Sequence, residues 1–335
     1  MSKHTIRIIV LIVLVLACLM GATLYSLRGS LGLRRSAASP LAFQPHRNEQ
    51  QEQERQTSRR LTPAPTASAS LLSPALPGLN YLGFTAHLFS QGGNSLVYYL
   101  YIPQPLNPQQ RYPLVLLLHG GGERSRPNYT AAQNEQLLLN QSYVRVWSSD
   151  YQGAANPHIQ QRWPCFVLVP QMKQGQQWVN VPIHGGSYHQ PAQPSIPLQL
   201  TKALLDRVLQ AYANNIDRTR LYVTGLSNGG YGTWDAIERW PDLFAAAAPI
   251  AGAGDPSLAA RIKNLPIWAF HGSADPVVPV SGSRDMIAAL RAAGGQPRYT
   301  EFAGAGHGVW GYVYSLENSP LRVSDFFPWL FSQHR

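Results

Sequence analysis

Few folds can accommodate an apolar, β-branched run that stops at a glycine-flanked serine and continues at once as a helix. This chain contains one at Leu221-Tyr-Val-Thr-Gly-Leu-Ser-Asn-Gly-Gly-Tyr-Gly-Thr-Trp234. Leu221 to Thr224 has the composition of a short strand, while Asn228 to Trp240 contains no proline and spaces its apolar residues helically. Ser227 falls on the turn between them. Gly225 and Gly229 let strand and helix approach closely, and the turn leaves the serine hydroxyl standing clear of the sheet. The Gly-x-Ser-x-Gly pattern is a weak signal by itself; its place between strand and helix makes Ser227 a candidate nucleophile.

Around this stretch the chain alternates strand-like and helix-like segments from about Leu79 onward. Tyr81 to Phe89 and Leu96 to Ile102 are predicted to pair as a hairpin across Ser90-Gln-Gly-Gly-Asn94. Pro113 to Leu118 is a continuous apolar run, as expected of a strand buried on both faces. Further strands are expected at Phe166 to Val169, Leu221 to Thr224, Ala245 to Ile250, Ile267 to Phe270 and Arg298 to Phe302, and helices at Leu198 to Ala213, Gly229 to Trp240, Ser281 to Ala293 and Val323 to His334. Alternation of this kind implies right-handed crossovers and an α/β fold, a mostly parallel, doubly wound sheet with helices on both faces. Arg124 to Arg162 and the Gly/Pro/His/Gln-rich piece from Pro182 to Pro197 are expected to form loops over the site.

Three more stretches bear on the chemistry of Ser227. Leu116-Leu-Leu-His-Gly-Gly-Gly-Glu-Arg124 follows a buried strand, and its glycines let a backbone N–H approach the oxyanion of an acyl-transfer intermediate; Gly121, or alternatively Gly122, is the loop donor and the N–H of Asn228 the second. His119 reads as a residue that shapes this loop. In Ile267-Trp-Ala-Phe-His-Gly-Ser-Ala-Asp-Pro-Val-Val-Pro279, a strand followed by an Asp in a Pro-bounded loop makes Asp275 the candidate acid, with Asp255 in Gly252-Ala-Gly-Asp-Pro256 as its competitor and His271 as a structural residue. In Phe302-Ala-Gly-Ala-Gly-His-Gly-Val-Trp310, His307 is the one of ten histidines that comes after both Ser227 and Asp275 and directly after a strand. The order Ser, Asp, His results.

These four pieces together resemble the α/β-hydrolase superfamily, and within it bacterial esterases and predicted peptidases of the prolyl-oligopeptidase and dienelactone-hydrolase-like group. The resemblance runs from about Leu79 to Arg335 and takes in Pro170-Gln171 and Trp178, which look like that group's Pro-Gln and Trp positions. One residue departs: relatives with this Gly-Tyr-Gly-Thr-Trp continuation commonly carry Met after the serine, whereas Ser227-Asn-Gly-Gly230 is similar to the elbow of polyhydroxybutyrate-depolymerase and feruloyl-esterase-like proteins. The resemblance implies an α/β-hydrolase fold and a serine esterase working through a Ser227-His307-Asp275 triad and an acyl-enzyme, on a small-molecule or polymer-linked ester, with no cofactor and no metal. A serine peptidase and a silent, membrane-tethered binding domain are the alternatives. Trp147, Trp163, Trp178, Tyr188 and Trp310 are candidate pocket aromatics, with packing as the competing role.

The remaining 78 residues read differently. Residues 8 to 27 carry no charge over 20 positions, enough to span a bilayer core as a helix. An anchor through residues 8–27 is the first reading, a cleaved signal segment (1–27) the second and lipidation at Cys18 the third; each places the rest outside the cytoplasm, anchored in the cell membrane, periplasmic or secreted. Residues 28–78, rich in Ser, Ala, Pro, Gln and Arg, read as a disordered linker, and residues 79–335 as the catalytic domain. The formal charge of +10 does not indicate nucleic-acid binding: nine basic against three acidic residues in the first 80 account for +6 of it, and no basic helix with interleaved aromatics follows. Two cysteines, Cys18 and Cys165, supply neither a disulfide nor a metal cluster.

Overall fold

The computed structural model describes residues 72–152, 158–315 and 318–335. The anchor or signal segment, Cys18 and the linker as far as residue 71 lie outside the described residues. Among the described residues no helix is long and apolar enough to cross a membrane.

In chain order the elements are β1 (Ala75–Tyr81), β2 (Phe84–Gln91), β3 (Asn94–Tyr101), β4 (Tyr112–Leu118), α1 (Ala131–Leu139), α2 (Ser142–Arg145), α3 (Ile159–Arg162), β5 (Phe166–Gln171), α4 (Ile196–Ala211), β6 (Ile216–Leu226), α5 (Asn228–Arg239), β7 (Ala246–Ile250), β8 (Trp268–Gly272), α6 (Ser281–Ala292), β9 (Arg298–Phe302), α7 (Trp310–Val313) and α8 (Phe326–Phe331). The strands form one sheet in the order β1-β2-β3-β5-β4-β6-β7-β8-β9. From β5 to β9 every pairing is parallel, while β1, β2 and β3 add an antiparallel edge. Strand order reverses around β4, and crevices for ligands open at the carboxyl ends of strands at such a reversal.

Why the apolar runs become the sheet's centre is visible in their burial. All seven residues of β4 are buried, with Leu114, Leu116 and Leu118 facing one core and Val115 and Leu117 the other. The first core is closed by α4, α5 and α6 through Leu204, Val208, Trp234, Ile237, Met286 and Leu290. The second is closed by α1, α2 and α8 through Leu138, Tyr143, Phe326 and Phe327. The sheet is therefore covered on both faces.

Four local expectations need correction. The strand expected at Tyr81 to Phe89 is interrupted at Leu82-Gly83, where two successive positive φ values (54° and 77°) make a tight turn between β1 and β2. The sheet also starts at Ala75, ahead of the boundary expected at 78/79. Pro77 is tolerated there because β1 is an edge strand whose register shifts between Ala75 and Asn80. Arg124 to Arg162 is not an open loop region: α1 to α3 lie in it, and Leu138, Leu139, Val144, Val146 and Trp147 are fully buried against the sheet. A capping box at Thr130, whose hydroxyl accepts from Gln133 N at 3.2 Å while Gln133 Oε1 accepts from Thr130 N at 2.9 Å, starts α1 and was legible as Thr-x-x-Gln. Finally, α8 spans only Phe326–Phe331 instead of Val323 to His334.

Close packing behind the elbow makes a direct prediction. An ideal Cβ at Gly229 would collide with the Leu118 carbonyl oxygen, and one at Gly225 would lie 2.7 Å from it. Both obstacles are backbone and cannot rotate away. Gly229→Ala is expected to lose ~3 kcal/mol or more of stability, read as a lower urea midpoint or as insoluble expression. A variant melting with the wild type would mean that β4 and α5 do not approach this closely.

Candidate active site

Four loops at the carboxyl rim of the sheet bring the candidate residues together. Ser227, between β6 and α5, has φ 54° and ψ −119°, a sparsely populated conformation for a non-glycine residue. Its N–H donates to Ile250 O at 2.9 Å, which ties the strained peptide to the end of β7. The residue is 8% exposed, and its Oγ lies 2.8 Å from His307 Nε2. His307 Nδ1 lies 2.7 Å from Asp275 Oδ2. Because Oδ2 is a carboxylate acceptor, the ring proton sits on Nδ1 and the Nε2 lone pair faces the serine hydroxyl.

Backbone hydrogen bonds hold the two loops that supply acid and histidine. Ser273 N donates to Phe302 O at 3.0 Å and Ala274 N to Ala305 O at 3.0 Å, so the turn after β8 is sewn to the turn after β9. Asp275 Oδ1 accepts from Val277 N at 2.8 Å and Val278 N at 3.0 Å. A second histidine also faces this carboxylate: His271 Nε2 is 3.2 Å from Asp275 Oδ2 and 3.1 Å from Val278 O, and its Nδ1 is 2.8 Å from Ser283 Oγ. Two acceptors at Nε2 place the ring proton there. Burial pushes the Asp275 carboxyl up, but the hydrogen bonds from His271, His307, Val278 N and Val277 N outweigh it and hold the group well below the usual carboxylate range. His271, expected to be merely structural, thus touches the candidate acid, a contact that the turn of the loop after β8 creates. The rival, Asp255, does not face His307. Its Oδ1 accepts from Ser257 N at 3.0 Å to start the 3-10 turn Pro256–Arg261, and its Oδ2 accepts from Gln190 N at 2.7 Å.

The glycine loop after β4 passes directly over the elbow, an ideal Cβ at Gly120 lying 3.7 Å from Ser227 Cβ. His119 is fully buried beneath it, donating from Nδ1 to Gly120 O at 2.7 Å and accepting at Nε2 from Met172 N at 3.0 Å. Arg124 braces the other end, donating from Nη1 to Gly121 O at 2.9 Å and from Nε to Gln176 O at 2.5 Å. Gln171 Nε2 donates to Glu123 O at 3.0 Å, and Gly122 has no neighbour around its Cβ position. Asn228, first residue of α5, has a backbone N–H without an intrahelical acceptor. Its side chain is held by the segment after β5: Oδ1 accepts from Trp178 N at 3.0 Å and Nδ2 donates to Gln177 Oε1 at 3.4 Å. Trp178 Nε1 in turn donates to His119 O at 2.9 Å, so one indole joins the elbow helix to the glycine loop.

Of the five aromatics considered for a pocket, one touches the triad candidates. Trp310 packs edge-on to His307 with ring centroids 5.3 Å apart. Trp147 and Trp178 are fully buried, Trp163 stacks on Phe331, and Tyr188 stacks on Tyr231. The Pro182 to Pro197 piece does border the site: Tyr231 Oη donates to Ile183 O at 2.7 Å, and His184 Nδ1 donates to Val277 O at 2.7 Å beside Asp275. No group of His, Cys, Asp and Glu side chains suited to a metal ion occurs among the described residues.

His119 also predicts an acid response. Burial lowers its pKa from 6.5 to about 3, only partly offset by the hydrogen bond to Gly120. Glu123 Oε2 lies 3.9 Å from His119 Nδ1, and burial pushes its carboxyl above the usual range. The unfolded chain takes up a proton on His119 below pH 6.5 and the folded chain does not until about pH 3. Folded-state stability from this residue is therefore present above pH 6.5 and is lost as pH falls towards 3. Relative to His119→Gln, the wild type is expected to lose about 1.4 kcal/mol per pH unit across that window, measured by urea midpoints. A pH-independent difference would show that the imidazole is not held neutral.

The strand order and the helices on both faces of the sheet are those of the α/β-hydrolase fold. Residues 165–311, which include Ser227, Asp275 and His307, match the dienelactone hydrolase family. A solved thermostable esterase is 40% identical, with a TM-score of 0.63 over 76% of this chain and 64% of its own. A bifunctional acetylxylan esterase/xylanase of Neocallimastix patriciarum is 26% identical over 182 residues, 54% of this chain and 21% of that protein. An uncharacterized secreted protein of Arthroderma benhamiae is 30% identical over 123 residues, 28% of this chain and 13% of that protein. The chain thus spans under two thirds of the esterase and under a quarter of each curated relative.

Proposed function

We propose that this protein is a carboxylic ester hydrolase in which Ser227 is the nucleophile, His307 the general base and acid, and Asp275 the residue that orients His307. The observation that carries this reading is the unbroken chain Ser227 Oγ, His307 Nε2, His307 Nδ1, Asp275 Oδ2, at 2.8 and 2.7 Å, on a backbone strained at the serine. His307 takes the hydroxyl proton as Oγ attacks the acyl carbonyl, then returns it to the leaving alcohol. The acyl-enzyme is opened by water that gives its proton to the same nitrogen. The N–H groups of Asn228 and Gly121 receive the oxyanion, with the α5 N-terminus adding a favourable field. None of these steps requires a metal or an organic cofactor.

The similarity to an esterase at 40% identity and the name of the acetylxylan esterase relative favour esters over peptides. The uncharged run at residues 8–27 and the secreted relative support action outside the cytoplasm, with residues 8–27 as anchor or signal and residues 28–71 as linker. The test is covalent labelling: a fluorophosphonate should modify Ser227 stoichiometrically, and short acyl p-nitrophenyl esters should turn over faster than matched peptide p-nitroanilides. Unmodified Ser227 after prolonged exposure would refute the assignment, and faster amide turnover would move it to a peptidase.

A further inference from the structure

Two N–H groups that receive one oxyanion must keep a fixed separation, since each is effective only at roughly 2.7–3.1 Å from that oxygen. Here they belong to different elements: Asn228 starts α5, while Gly121 lies in a run of three glycines, the backbone with the least restraint of its own. A third segment, Gln176-Gln177-Trp178, is linked to both. On the loop side Arg124 donates from Nη1 to Gly121 O at 2.9 Å and from Nε to Gln176 O at 2.5 Å. On the elbow side the Asn228 carboxamide accepts at Oδ1 from Trp178 N at 3.0 Å, and its longer contact from Nδ2 to Gln177 Oε1, at 3.4 Å, adds less. The links run in series from one donor to the other: Gly121, Arg124, the segment 176–178, Asn228.

The middle segment is itself fixed, as a spacer has to be. Gln176 N donates to Lys173 O at 3.1 Å and Lys173 N to Gln176 Oε1 at 3.0 Å, which closes a tight turn at one end. At the other end Ser195 Oγ, the N-cap of α4, donates to Trp178 O at 2.6 Å. Trp178 is fully buried, and a Cβ on Gly232 would lie 2.6 Å from Trp178 Cβ, so the spacer rests directly on α5. Two further bonds, from Trp178 Nε1 to His119 O at 2.9 Å and from Met172 N to His119 Nε2 at 3.0 Å, hold the root of the glycine loop. Arg124 is what reaches its tip. Asn228 is fully buried too, and an apolar side chain there would leave the buried Trp178 N without this acceptor.

We infer that the side chains of Asn228 and Arg124 are positioning groups that act through Gln176-Gln177-Trp178 to set the separation of the two oxyanion donors. The inference rests on the esterase reading of Ser227 and deepens it. Neither side chain needs to touch substrate; each holds a backbone whose N–H does. Cutting either link leaves both N–H groups in place but lets their separation drift, which weakens binding of the tetrahedral intermediate more than binding of the planar ester. Because the links are in series, cutting the second after the first releases nothing more.

The experiment is a double-mutant cycle on the full chain with Asn228→Ala, Arg124→Met and the two combined. Each protein is assayed on p-nitrophenyl acetate and for inhibition by hexyl trifluoromethyl ketone. Ser227 Oγ adds to the ketone carbon, the hydroxyl proton passes to His307, and the carbonyl π pair becomes an oxyanion in the hole, so the inhibition constant Ki reads the donors directly. Each single variant should lower kcat/KM about tenfold, chiefly through kcat, and raise Ki by the same factor, less than the ~10²–10³-fold cost of losing a donor outright. The double variant should also stay near tenfold, since linked groups are not additive. A kcat/KM within about twofold of wild type in the single variants, a double variant down by the full product of about a hundredfold, or a fall in kcat/KM at unchanged Ki would each overturn the inference. Should Asn228→Ala fail to fold, Arg124→Met decides by the same two readings of kcat/KM and Ki. Turnover of p-nitrophenyl acetate by the wild type tests the esterase reading separately, and its absence would remove both.

Discussion

Ser227→Ala is expected to reduce ester turnover by about 10⁶-fold, to background, while the protein stays folded. The size of the effect follows from the site: no other hydroxyl is recorded on His307 Nε2, and the residue after the serine, Asn228, has its side chain committed to Trp178 and Gln177. Neither can substitute as nucleophile. A companion variant separates chemistry from strain. At φ 54° and ψ −119° a side chain costs on the order of 1–3 kcal/mol, and glycine does not pay it. Ser227→Gly should be as inactive as Ser227→Ala yet more stable by about 1 kcal/mol, a melting-temperature difference of roughly 2–4 °C. Turnover of Ser227→Ala within a hundredth of wild type would sink the nucleophile assignment, and equal stability of the two variants would sink the strain.

Much of this arrangement could be read from the chain because the decisive signals are local. The apolar runs that became β4 and β6, and the glycines around Ser227, depend on neighbours in sequence, and hydrophobic continuity reports burial on both faces of a sheet. Contacts between distant segments left no such mark. Nothing local ties Asn228 to Trp178, fifty residues away, so the sequence does not show that the side chain of this residue, where the chain departs from relatives, straps two loops together. His271 lies four residues from Asp275, yet only the curl of the loop after β8 turns its Nε2 onto the carboxylate. The helices between Arg124 and Arg162 were missed for a different reason. Their apolar residues come in short bursts, Leu137 to Leu139 and Tyr143 to Trp147, which carry too few turns for a helical period to register, and the capping box at Thr130 was the better signal.

Asp275→Asn is expected to lower kcat by about 10⁴-fold with little change in KM, and the reason lies in how this carboxylate is pinned. Val277 N and Val278 N both donate to Oδ1, so an asparagine at 275 must place its amide oxygen there. The NH₂ group is then forced into the Oδ2 position, where it faces His307 Nδ1 at about the wild-type distance of 2.7 Å and His271 Nε2 at 3.2 Å. Two donors cannot face each other, so His307 must move its proton to Nε2, and a protonated Nε2 points at Ser227 Oγ as a donor when a base is needed. Rotating the amide to rescue His307 would set its NH₂ against two backbone N–H groups, which is worse by one lost hydrogen bond and one repulsion. The same argument makes His271 a second obstacle, since its Nε2 proton also meets the NH₂ group and can turn only to Val278 O. Substrate binding is untouched because neither Asp275 nor His271 reaches the solvent side of the site. Steady-state kinetics on a short acyl p-nitrophenyl ester decide the matter. A kcat within about tenfold of wild type would mean that Asp275 does not set the tautomer of His307, and a large rise in KM at unchanged kcat would mean that it acts on binding instead.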